Sequence, residues 1–124
     1  MTTLLWVMTG GAAGSGARYL LTRLMNTTGD SGFPYGTLTV NVVGCLTIGF
    51  LASAFQNTWN VSSTTQATLL VGVLGGFTTF SSFSHETIQM FQSGRYGAAL
   101  LYLLVSNAAG LAGILIGMKL APAG

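Results

Sequence analysis

Charge is what this 124-residue sequence has least of: four Lys or Arg, two Asp or Glu and one His, with 5% charged residues in all. A soluble domain carries about 25% charged residues. A surface so poor in charge would not stay monodisperse in water, and the bilayer is its natural solvent. The net charge of +2 and the pI near 9.0 come without any cluster of basic residues. That removes the phosphate-neutralising patch a nucleic-acid partner would need. The single cysteine, Cys45, rules out an internal disulfide and has no Cys or His at ligand spacing. It reads as a small residue packed in a helix. There is no serine, histidine and acid set, no carboxylate pair, no phosphate loop and no Cys/His cluster. Nothing therefore points to an enzyme, and transport or scaffolding remains.

What the sequence has instead is apolar length: 50% of its residues are hydrophobic. A helix needs about 20 apolar residues to cross the hydrocarbon core, so four spans with short loops use nearly the whole chain. The reading is an all-α membrane protein, one integral membrane domain over 1–124 with helices at about 3–25, 35–55, 62–93 and 96–120. The apolar run at 4–21 lacks a basic leader and is followed by arginine, so it reads as a retained first helix and not as a signal peptide. Residues 26–32 form a polar, turn-rich loop, and Pro34 starts the second helix. Residues 56–60 read as an interfacial loop, after which Ser62 or Ser63 can cap the third element.

The third span is expected to be broken near its middle. Residues 69–77 are apolar, but a Gly-Gly pair and a run of hydroxyls follow, and a hydropathy window alone could count only three spans. Two half-helices with a non-helical connector at 75–79 together reach across. Irregular backbone at membrane depth persists only where it packs on protein or lines a cavity. With four crossings, Arg18, Arg23 and Arg95 lie on one side and Lys119 on the other. So weak a bias admits insertion in both orientations and an antiparallel dimer. Gly10 with Gly14, Gly72 with Gly76, Ala109 with Gly113 and Gly113 with Gly117 have the spacing of closely packed helices.

Several residues could carry chemistry, each with a plainer alternative. Phe80 and Phe83 share a helix face, with Ser81 and Ser84 beside them. Ring edges are positive and suit an anion, while ordinary core aromatics have the same spacing. Asn41 carries an amide into mid-helix, where it can meet an anion or bond to another helix. Tyr102, Ser106 and Gly110 recur every four residues, as a polar track or a packing stripe. Glu86 is the one acidic residue within a span and is read as a structural or vestibule residue in preference to a proton carrier. His85 beside it is read as hydrogen-bonded or interfacial. Arg18 can concentrate anions at a pore mouth or anchor the helix at the membrane surface.

Three segments, Gly10-Gly11-Ala12-Ala13-Gly14-Ser15-Gly16-Ala17-Arg18-Tyr19, Gly36-Thr37-Leu38-Thr39-Val40-Asn41-Val42-Val43-Gly44-Cys45 and Gly75-Gly76-Phe77-Thr78-Thr79-Phe80-Ser81-Ser82-Phe83-Ser84, resemble the Fluc family of fluoride channels, also called CrcB. The resemblance covers essentially the whole chain. It implies a dual-topology, antiparallel homodimer in the bacterial plasma membrane, with membrane lipid around it and no nucleic acid. Each dimer would have two pores for passive, selective fluoride efflux and a sodium ion buried at the subunit interface. By position, Phe80, Phe83, Ser81 and Asn41 match the family's pore residues, and Tyr102 and Ser106 match its polar track; Ser84 is placed with them. Gly110 and Ile114 stand where other members can carry hydroxyls. Arg18 falls to the vestibule. The resemblance maps the sodium to the backbone carbonyls of Gly75 and Thr78, and a hard cation takes oxygen ligands. Beside it stand two rivals: a small proton-coupled multidrug exporter, in which Glu86 would have to titrate, and a membrane scaffold that passes no ion.

Overall fold

The computed structural model describes residues 1–27 and 32–124. Its helices are α1 (Thr2–Thr27), α2 (Tyr35–Asn57), a continuous run of α3 (Ser63–Gln66), a π-helical segment (Ala67–Val73) and α4 (Leu74–Phe77), then α5 (Phe80–Gln92) and α6 (Tyr96–Leu120). No strand occurs among the described residues. Among the described residues, three stretches are long and apolar enough to cross a membrane: Tyr35–Asn57, Ser63–Gln92 and Tyr96–Leu120. α1 has 26 residues, about 39 Å at the usual helical rise, so it does not lack length. Its small and hydroxyl residues with Arg18 and Arg23 dilute its hydropathy. Of the loop expected at 26–32, residues 28–31 lie outside the described residues. Asn26 and Thr27 still belong to α1, and Gly32 adopts φ +68°, a left-handed conformation that glycine takes without steric cost.

Local chemistry sets the helix ends. Pro34 immediately precedes α2, where its missing N–H costs nothing. The Ser62 hydroxyl caps α3 by accepting from the Thr65 N–H at 3.1 Å. α5 begins in the same way on Thr79, whose hydroxyl accepts from the Ser82 N–H at 3.1 Å. Gly94, at φ +78°, turns the chain from α5 to α6. At that turn the Arg95 guanidinium donates to the Gly32 carbonyl at 2.7 Å, which ties the start of α6 to the chain just before α2.

The helices pack as two intimate pairs, α2 along α6 and α1 along the π-helical segment and α4. Both pairs depend on glycine. A methyl added at Gly14 would run into the Val73 carbonyl and lie 2.9 Å from the Phe77 nitrogen, and one at Gly117 would run into the Leu46 carbonyl. Lipid is as apolar as leucine, so helices gain from meeting only when backbones come this close. The far face of α6 carries Leu100, Leu104, Leu111 and Leu115, all more than half exposed, a surface matched to acyl chains. Phe83, Met90, Ala99 and Tyr102 form a buried cluster joining α5 to α6.

The interruption of the third span is narrower than 75–79. Gly75, Gly76 and Phe77 are helical, and only Thr78 (φ −85°, ψ 157°) and Thr79 (φ −150°, ψ 115°) are extended. Paired glycines weaken a helix by about 1 kcal/mol each. Here packing overrides that cost, since Gly76 lies against the Gly11 backbone where no side chain fits.

Candidate functional site

At the interruption, α2 and the third span exchange hydrogen bonds. The Asn41 Nδ2 donates to the Thr79 carbonyl at 3.0 Å, and the Thr79 N–H donates to Asn41 Oδ1 at 2.8 Å. In an unbroken helix the Thr79 N–H would return to the Gly75 carbonyl, and the Ser82 N–H to the Thr78 carbonyl. Those donors are spent on Asn41 and on the Thr79 hydroxyl instead. The Gly75 and Thr78 carbonyls thus lose their helical partners, which leaves them the kind of oxygen a hard cation takes. No group of His, Cys, Asp or Glu that could hold a metal occurs among the described residues.

Phe80 stands beside this break with 78% of its surface exposed. It edges an open groove of about 350 Å³ that also presents Asn41, Gly75 and Thr78. Phe83 lies one turn on, with ring centroids 5.7 Å apart, but it is only 8% exposed. Its ring meets that of Tyr102 edge-to-face at 5.1 Å, and Phe33 meets Tyr102 edge-to-face at 5.4 Å. The two phenylalanines therefore share a helix face without sharing an environment. Ser81 is exposed and sets its hydroxyl 3.3 Å from that of Thr79, while Ser84 is half-buried. Ser106 Oγ is buried with no hydrogen-bond partner among the described residues. Gly110 lies against Cys45, and Ile114 lines the groove with Phe80.

Glu86 is held by two hydroxyls. Thr37 donates to Oε1 at 2.7 Å and Tyr102 donates to Oε2 at 2.8 Å. The carboxylate thus links α2, α5 and α6, and the Tyr102 proton is committed to it. Arg18 comes to the same region from α1. With Glu86, Thr79 and Ser82 it lines a second cleft of about 350 Å³ that leads inward to the break. Arg18 and Glu86 line this cleft, Phe80 lines the groove, and Thr79 borders both. Sequence reasoning did not single out Thr37, Thr79 or Phe33. Thr37 had a signal, because it precedes Asn41 by one helical turn. Thr79 was hidden within a run of hydroxyls, and nothing local marks Phe33.

The family model for "CrcB-like protein, Camphor Resistance (CrcB)" matches residues 5–118. A protein named "Fluoride-specific ion channel FluC" from Caulobacter vibrioides is 51% identical over 125 residues, covering 96% of this chain and 98% of its own. Proteins of the same name from Geobacter sulfurreducens and Phocaeicola vulgatus are 41% and 37% identical, with 98% and 95% of this chain covered and 98% and 97% of theirs.

Proposed function

The chain belongs to the CrcB-like family, and from that premise we propose that it is a passive fluoride channel, a multi-pass membrane protein and not an enzyme. The observation that carries the reading is the convergence of an amide, an exposed ring and an interrupted helix at Asn41, Phe80 and Thr78. A small, strongly hydrated anion crosses only if donors replace its water. The Asn41 amide has a second proton beyond the one given to Thr79. Ser106 Oγ, buried without a partner among the described residues, can donate as well. The edges of Phe80 and Phe83 add positive potential without a counter-charge that would trap the ion. Ser81 and Ser84 extend this path on α5. Tyr102 contributes its ring and fixes Glu86, and Arg18 raises the anion concentration at the mouth.

The finer architecture belongs to the same proposal. α1 makes a fourth crossing, since it is long enough and packs its glycine face on α4. Two copies meet antiparallel over the groove, which would cover the exposed Phe80 and Gly75 and complete two pores. The Gly75 and Thr78 carbonyls of both copies would hold a sodium ion, whose part is structural: it neutralises carbonyl dipoles at the interface. Hydrogen fluoride enters a cell neutral and ionises inside. An inside-negative potential then drives the anion outward by about 2.3 kcal/mol per 100 mV. The membrane would be a bacterial plasma membrane.

Liposomes containing the protein are expected to release fluoride and retain chloride, followed with ion-selective electrodes. Phe80→Ala and Asn41→Ala should each slow fluoride release by at least about tenfold, the worth of one well-placed aromatic contact or hydrogen bond. Equal chloride release would overturn the reading, and no flux at all would favour a scaffold. A proton-coupled exporter needs the Glu86 carboxyl to titrate, so undiminished fluoride release by Glu86→Gln excludes it.

A further inference from the structure

The interruption of the third span has neither glycine nor proline at its two extended residues. Thr78 and Thr79 occupy ordinary extended backbone, which β-branched side chains favour without requiring it. The chain before them is helical through Phe77 and the chain after them is helical from Phe80. Nothing in this local sequence forbids the helix from running through. The Thr79 hydroxyl supplies a local cap for α5, and another helix supplies a second hold on the same residue.

Asn41 on α2 presents its amide to Thr79 as a neighbouring strand would, accepting the Thr79 N–H and donating to the Thr79 carbonyl. Its orientation is fixed, because only Oδ1 can receive that N–H. The same bond takes the donor that would satisfy Gly75. We propose that Asn41 is a positioning residue: its amide holds Thr79 extended, and the opening of the Gly75 carbonyl, the capping of α5 by Thr79 and the projection of Phe80 all follow from that hold. This role does not depend on which ion crosses. Without the amide, the Thr79 N–H would be unpaired at membrane depth and its C=O, which already accepts the first bond of α5, would lose its second donor; the cheapest remedy is for the N–H to return to Gly75 and the helix to close. The polar cleft past Arg18 and Ser82 reaches Thr79, so water competes for these groups whenever the hold is released.

Nuclear magnetic resonance on labelled protein in bilayers tests this in two ways. In the unaltered protein the Thr79 amide is expected to exchange with water at least about tenfold more slowly than its intrinsic rate, as a single firm hydrogen bond dictates. Exchange at the intrinsic rate would overturn the proposal without any variant. In Asn41→Ala the Cα and Cβ shifts of Thr78 and Thr79 should leave their extended values and move toward helical ones. Asn41→Asp keeps an oxygen facing the Thr79 N–H in either protonation state, so its shifts should stay extended even though a carboxylate there repels anions and slows their passage. Extended shifts in the alanine protein, or helical ones in the aspartate protein, would each refute the role. These readouts need no ion flux, so they fail independently of the fluoride reading.

Discussion

Gly14→Leu is expected to prevent the protein from assembling, whereas Gly16→Leu, two residues away on the same helix, should leave it folded. The contrast follows from what each new side chain would meet. At Gly14 even the first carbon collides with the Val73 carbonyl and crowds the Phe77 nitrogen, while at Gly16 nothing lies within 4 Å. Backbone atoms cannot step aside as a flexible side chain does, so α1 would have to separate from the π-helical segment and α4. Overpacking of this kind costs about 1–3 kcal/mol when a core can adjust and more when it cannot. The second case applies here, because the neighbours on the α1 face are themselves backbone contacts at Gly10, Gly72 and Gly76. The measurement is the monodisperse fraction in mild detergent together with the midpoint of unfolding in a denaturing one. Equal behaviour of the two leucine variants would show that α1 does not rest on α4 as described.

Removing Glu86 should have the next largest effect, and the replacement decides its size. In Glu86→Leu the Thr37 and Tyr102 hydroxyls both lose their acceptor, in a setting where Thr37 is 6% exposed and Tyr102 is fully buried. Each orphaned hydroxyl costs about 1–3 kcal/mol, so roughly 2–6 kcal/mol of stability should go. Glu86→Gln keeps one oxygen for Thr37 and offers an N–H that the Tyr102 oxygen can accept, at a cost of about 1 kcal/mol or less. A double-mutant comparison of Glu86→Leu with Tyr102→Phe separates this from a generic packing loss. If the hydrogen bond is what matters, Tyr102→Phe costs less in the leucine background than in the parent. Additive losses would mean the two side chains act separately.

The sequence made the environment and the helices legible because both are carried by nearby residues. Scarce charge announces a bilayer wherever the charges fall, and an apolar run between Pro34 and the polar stretch at 56–60 delimits a helix without reference to its neighbours. The break was legible in existence but not in cause. Gly75 and Gly76 drew attention because glycine is a poor helix former, yet the structure uses Gly76 for contact with Gly11 and places the extended residues at two threonines. The partner that matters there, Asn41, is 38 residues away. Glu86 was recognisable as an anomaly for a membrane span. Its tie to Thr37 is a pairing across 49 residues, for which hydropathy and periodicity carry no signal.

The distance from Asn41 to Thr79 also bears on how the protein is made. When the chain leaves the ribosome, residues 63–92 are a single stretch of 30 residues, about 45 Å if fully helical against a hydrocarbon core of about 30 Å. On its own such a segment can only tilt or bend. Asn41 emerges before Thr79, so synthesis delivers the partner before the residue it bonds. A circularly permuted chain, opened between the second and third spans so that Thr79 is made before Asn41, would reverse that order and leave the third span to choose its shape alone during insertion.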